Sequence, residues 1–144
     1  MILVQVDENL SSPITAALVE KAAQAALDQQ SAEAGDLTVV LTGDAELQSL
    51  NLEYLGIDAP TDVLSFPADF IDPDTDRRYY GDILISIPRA QEQAQAASHT
   101  VQDEILLLTV HGVLHLLGHD HAEEAEKQRM WAAQDEILGG LQGA

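Results

Sequence analysis

The stretch VQDEILLLTVHGVLHLL, residues 101 to 117, sets the strongest limit on what this chain can fold into. Wound as a helix, it carries Ile105, Leu106, Leu107, Leu108, Val110, Val113, Leu114, Leu116 and Leu117 nearly all round its circumference. A helix apolar on every side has no face to give to water, so it must be a buried central element. Thr100 followed by Asp103 is a capping-box start for it. Gly118 offers the left-handed conformation that ends a helix and turns the chain back.

A chain of 144 residues fits one domain, 1–144, able to bury about two-thirds of its unfolded surface. ILVQV (2 to 6), DLTVVLT (36 to 42), TDVLSF (61 to 66) and GDILISI (81 to 87) read as strands. Ser12 as N-cap, with Pro13 at the first helical position, starts a helix that runs to about residue 30. DAELQSLNLEYL (44 to 55) is a second helix, and a polar one follows Pro88 to about 98. The last spans about 122 to 138, with Glu123 and Glu124 where the helix dipole favours negative charge. The proline- and aspartate-rich segment ADFIDPDTDRRYY (68 to 80) reads as a loop. Four strands mixed with about five helices predict one α/β (α+β) domain, a small sheet covered by helices.

With 25 acidic against 6 basic residues the formal net charge is −19. Taken alone, that balance argues against nucleic acid and anionic membranes and favours a cation or a basic protein as partner; solubility accounts for it equally well. Because charges beyond roughly 8 Å are screened, a small local cationic site can persist on an acidic surface. No apolar run approaches the roughly 20 residues that cross a bilayer. MILVQVDEN has neither the basic start nor the apolar stretch of a signal peptide, so the expected location is the cytoplasm. With no cysteine in the chain, any metal must sit on imidazole, carboxylate or water.

Four of the five histidines fall within HGVLHLLGHDH, residues 111 to 121. Four helical residues turn the chain about 400°, so His111 and His115 lie about 40° apart, one turn from each other on one face. His121 would fall on the wrong side of a continuous helix, but a turn at Gly118 lets it approach the same point from a loop. Three neutral imidazoles with an open fourth position are the arrangement of catalytic zinc, one ion per chain, whereas structural zinc sites usually fill all four positions. His119 points elsewhere and reads as a packing or substrate-side residue, and His99, on a polar helix, reads as solvated. Asp120 adjoins His121 and can orient an imidazole from behind, or equally serve as an acidic cap near the loop.

The same spacing is that of the metzincin proteases, H-E-x-x-H-x-x-G-x-x-H, with one break. Their general-base glutamate is replaced by Gly112, which makes peptide hydrolysis the weaker reading. Two motifs together resemble the bacterial YbeY family of single-strand-directed endoribonucleases. HGVLHLLGHDH matches that family's H-G-x-L-H-L-x-G-Y/H-D-H, and DAPTDVLSFP (58 to 67) matches its D-x-P-T-D-V-L-S-F-P, with LNLEYLGID and GDILIS fitting alongside. The resemblance implies a mixed four-stranded sheet with helices and a zinc held by His111, His115 and His121 in a cleft beside the TDVLSF strand. It also implies a task in small-subunit ribosomal RNA maturation and ribosome quality control. Single-stranded ribosomal RNA and basic ribosomal or ribosome-associated proteins are then the expected partners.

One departure bears on substrate. Where the family reads L-N-x-x-Y-R-x-x-D, with an arginine for the RNA phosphate, this chain has Leu55. Arg89, Arg77 and Arg78 are the candidates to replace it, since a guanidinium fork suits a phosphate. Ser65 joins Arg89 as a substrate-binding candidate, and Asp62 and Asp120 are the candidates to take a proton, Asp62 being equally suited to brace a turn. Two other readings compete: a metalloprotease or amidase with a different base, and a ribosome-assembly binding protein whose zinc is structural.

Overall fold

The β-branched run around Val39 and Val40 forms the strand from which the sheet is built outward. The computed structural model describes residues 1–119 and 123–142, apart from the side chains of Asp69 and Gln142. These residues form strands β1 (Ile2–Val6), β2 (Gly35–Thr42), β3 (Val63–Asp72) and β4 (Arg77–Ser86). The helices are α1 (Ala16–Gln29), α2 (Asp44–Leu55), α3 (Ile87–Ala97), α4 (Val101–Leu116) and α5 (Glu124–Gln142). The sheet order is β1-β2-β4-β3. β1 and β4 flank β2 in parallel and β3 runs antiparallel to β4, so the sheet is mixed and four-stranded.

Alternation along β2 sends Leu37, Val39 and Leu41 to one face, all fully buried. That face meets Val19, Ala22 and Ala26 of α1, Ile87 and Ala90 of α3, most of α4, and Met130, Ala133 and Ile137 of α5. The opposite face carries α2, whose Leu47 and Leu50 pack with Val40, Leu64, Phe66 and Leu84. α4 is the central element, touching α1, α3, α5, β3 and β4. Its approach to the sheet requires Gly112: a Cβ there would lie 2.7 Å from Ile83 Cγ2. Among the described residues no helix is long and apolar enough to cross a membrane.

Two local readings are corrected. The first helix begins at Ala16 with Thr15 as its cap, Oγ1 accepting from Leu18 N at 3.4 Å, not at Ser12 and Pro13. Ser12 is occupied by its own turn: its hydroxyl accepts from Ile14 N and donates to Ile14 O, and Ile14 is driven into the core. The segment 68–80 is no loop but the distal half of a hairpin, with Phe70 opposite Tyr79, Ile71 opposite Arg78 and Asp72 opposite Arg77. Its turn closes through Asp76 N to Asp72 O at 2.8 Å and Asp74 N to Asp72 Oδ1 at 2.9 Å. Phe70 and Tyr79 stack across the strands with centroids 5.6 Å apart, a cross-strand aromatic pair that polar neighbours hide in the sequence.

Candidate metal centre and its cleft

The helical spacing of His111 and His115 brings their rings together at the C-terminal end of α4, with centroids 4.6 Å apart and planes at 69°. Their Nε2 atoms are separated by 3.1 Å. Two imidazole lone pairs so close need a proton or a cation between them. His111 is oriented from behind: its Nδ1 donates to Gln134 Oε1 of α5 at 3.2 Å, and in the neutral ring that tautomer puts the lone pair on Nε2, toward His115. Gln134 was missed in the sequence because nothing local links it to a histidine 23 residues away. Only the docking of α5 on α4 brings the two together.

α4 ends as the glycine predicts. Gly118 has φ +98°, and its N–H reaches His115 O at 3.0 Å while His119 N–H reaches Leu114 O at 3.0 Å. These are the paired bonds of a Schellman turn. His119 leaves the pair behind, its Nε2 donating to Gln30 Oε1 at 2.6 Å at the end of α1. His121 and Asp120 lie outside the described residues. Among the described residues no third histidine, aspartate or glutamate joins His111 and His115.

The two histidines face a cavity of about 460 Å³. β3 supplies one side through Val63, Ser65 and Pro67, and the end of α2 with its following loop supplies the other through Leu55 and Ile57. Ser65 Oγ donates to Gly112 O at 3.3 Å, which ties β3 to the helical turn between the two imidazoles. Asp62 lines the cleft and also braces its own turn, Oδ1 accepting from Val63 N at 2.8 Å and from Thr61 Oγ1 at 3.3 Å. Asn51, a buried amide, holds the loop beyond α2 by donating to Ala59 O at 2.9 Å.

The arginines are elsewhere. Arg89 is not among the residues lining the cleft; its Nε sits 3.6 Å from Asp44 Oδ1, at the first turn of α2. Arg77 donates to Asp36 Oδ1 at 2.9 Å and Arg78 to Glu33 Oε2 at 3.2 Å, both in the hairpin and away from the histidines. The local cationic site that the charge argument allowed is therefore not built from any of them. His99 is exposed, as its polar surroundings predict, but it is not without a partner: its Nε2 donates to Glu104 Oε2 at 2.7 Å, and Glu104 is buried. α3 stops at Ala97, and the turn at Ser98 folds His99 back onto α4.

A family model described as Endoribonuclease YbeY matches residues 4–142. The chain is 44% identical over 141 residues to the endoribonuclease YbeY of Chloroflexus aggregans, covering 94% of this chain and 91% of that protein. It is 44% identical over 138 residues to the endoribonuclease YbeY of Carboxydothermus hydrogenoformans, covering 96% and 90%. Among solved structures, the solution structure of TM1509 from Thermotoga maritima matches with a TM-score of 0.67 at 27% identity, over 99% of this chain and 90% of that one. With the model match spanning nearly the whole chain and relatives of this similarity, the chain belongs to the YbeY endoribonuclease family.

Proposed function

We propose that this chain is a zinc-dependent endoribonuclease that cuts single-stranded RNA in the cytoplasm, in small-subunit ribosomal RNA maturation and ribosome quality control. The observation that carries the metal dependence is the convergence of two imidazole Nε2 atoms, 3.1 Å apart, at the wall of an open cleft. Two nitrogens bound at about 2.05 Å to one tetrahedral zinc lie roughly 3.3 Å apart, so the pair fits the ion. Neutral imidazole suits zinc, and the Gln134 acceptor on His111 is the kind of outer partner that fixes such a ligand. His121 is proposed as the third ligand.

When bound, zinc acts as a Lewis acid toward a phosphoryl oxygen and makes water acidic enough to attack near neutral pH. The chain's own residues position the rest. Asp62 is the carboxylate among the described lining residues and the candidate to take the proton, with Asp120 as the other candidate. Ser65, held on Gly112 O, fixes the distance between the β3 wall and the imidazoles and is the substrate-side hydroxyl. Basic ribosomal or ribosome-associated proteins are the proposed protein partners, complementary to a net charge of −19.

The test is cleavage of a labelled single-stranded RNA by zinc-loaded protein, by chelated protein and by His115→Ala. Cleavage confined to the zinc-loaded wild type supports the proposal; equal cleavage by His115→Ala exposes a contaminant. Metal analysis should find about one zinc per chain, less at low pH as the imidazoles protonate. A second reading has an observation in its favour, since no arginine lines the cleft. Zinc-loaded protein that binds ribosomes and cuts no RNA would establish it as a binding protein with a structural zinc.

A further inference from the structure

All six lysines and arginines of the chain have known places, and none lines the cleft. Arg77, Arg78 and Arg89 each lie against a carboxylate, of Asp36, Glu33 and Asp44. Lys127 Nζ lies 4.4 Å from the centroid of Trp131. Lys21 lies on α1, and Arg129 lines a separate pocket with Gly118 and His119. Residues 120–122 and 143–144 contain no lysine or arginine, so the sequence itself excludes a further one there.

The cleft presents apolar surface instead. Leu55 is 60% exposed and Ile57 52% exposed, and both line it. They are held in place rather than splayed by chance. Gly56, at φ +72°, ends α2 between them, Asn51 fastens the following loop through Ala59 O, and Gln48 Nε2 donates to Asp58 Oδ1 at 2.9 Å. Large aliphatic groups held in water beside a reaction centre suit the apolar face of an unstacked base, which single-stranded RNA offers and a duplex hides.

Resting on the endoribonuclease reading, we propose that the cleft takes single-stranded RNA base-first. Leu55 and Ile57 form the platform for a nucleobase beside the scissile phosphate, while no lysine or arginine neutralises the backbone. An ordinary RNA-binding surface releases counterions and loses affinity as salt rises. Here the dominant effect of salt is to screen the repulsion between a polyanion and a chain of net charge −19. Binding therefore holds or tightens as salt rises.

The experiment measures the Kd of a fluorescent 2′-O-methyl single-stranded oligonucleotide, and cleavage of its RNA counterpart, on zinc-loaded protein from about 50 to about 400 mM potassium chloride. The expected Kd is flat or falls severalfold over that range. Leu55→Ser and Ile57→Ser each raise it about fivefold, with thermal midpoints unchanged because both side chains are largely exposed. An abasic oligonucleotide of the same length does not compete. Leu55→Arg restores a conventional loss of affinity with salt, about one phosphate contact in slope. RNA cleavage with a Kd that rises tenfold with salt, or equal competition by the abasic strand, overturns base-first binding and leaves the endoribonuclease reading standing. Neither binding nor cleavage at any salt overturns both.

Discussion

On one side of the cleft stand His111 and His115, carried by a helix that α1, α3, α5, β3 and β4 enclose. On the other stand Leu55 and Ile57, at the end of a helix with only Leu47 and Asn51 buried. The first wall is set by packing, and protein interiors are close-packed, so its histidines cannot be moved without disturbing the core. The second is surface, and its side chains are free to change with little cost to the fold. On the proposed reading, chemistry resides in the constrained wall and substrate choice in the permissive one. That division also places Leu55, which stands where the resemblance leads one to expect an arginine, in the wall that tolerates change.

Four perturbations test the division, from the largest effect to the smallest. Gly112→Glu should be worst, because its Cβ meets Ile83 and its carboxylate is forced into the helix–sheet interface. A loss of about 4 kcal/mol or more in a urea melt is expected, with no zinc-dependent casein cleavage gained. If the variant folds normally, the ligand wall is less constrained than its packing implies. Next comes zinc itself: at a free concentration about a hundredfold above Kd it should add about 2.7 kcal/mol to wild-type stability and nothing to His115→Ala. A zinc increment that survives that substitution would move the metal elsewhere.

The far end of the same helix supplies the third perturbation. His99→Ala leaves the buried Glu104 carboxylate without its imidazole partner and should cost about 1–3 kcal/mol. A double-mutant cycle with Glu104→Gln should recover part of that loss, since the two residues act as a pair. Additive losses would mean that they do not. Leu55→Arg should be mildest, within about 0.5 kcal/mol of wild type in stability, because an exposed position has little packing to lose. Its effect belongs to RNA turnover and to the salt dependence of binding. A large loss of stability at position 55 would erase the distinction between the two walls.

What the sequence made legible follows the same line. The all-round apolar pattern of 101–117, the one-turn histidine spacing and the glycine stop are local regularities, and α4 follows them from Val101 to the Schellman turn at Gly118. α2 likewise occupies 44–55, closed by Gly56. Features decided by distant contacts were not legible. The hairpin 68–80 looked like a loop because its stabilising pair, Phe70 with Tyr79, joins residues on opposite strands amid aspartates and arginines. Thr15 displaces Ser12 as a cap because Ile14 is needed in the core, which no capping rule anticipates. Gln134 behind His111, Glu104 beneath His99, and the carboxylates that engage the arginines all depend on how helices and strands come to lie together.

The contact between Gln134 and His111 also bears on the order in which this protein becomes competent. During synthesis the chain emerges from its N-terminus, so β3, with its side of the cleft, appears well before the histidines of α4. Those histidines in turn appear before α5, which brings Met130, Ala133 and Ile137 into the core and the amide that orients one imidazole. A nascent chain thus holds first a wall without the histidine pair, then the pair without its brace. On the proposed zinc reading, docking of α5, rather than the appearance of the histidines, is the event that completes the centre.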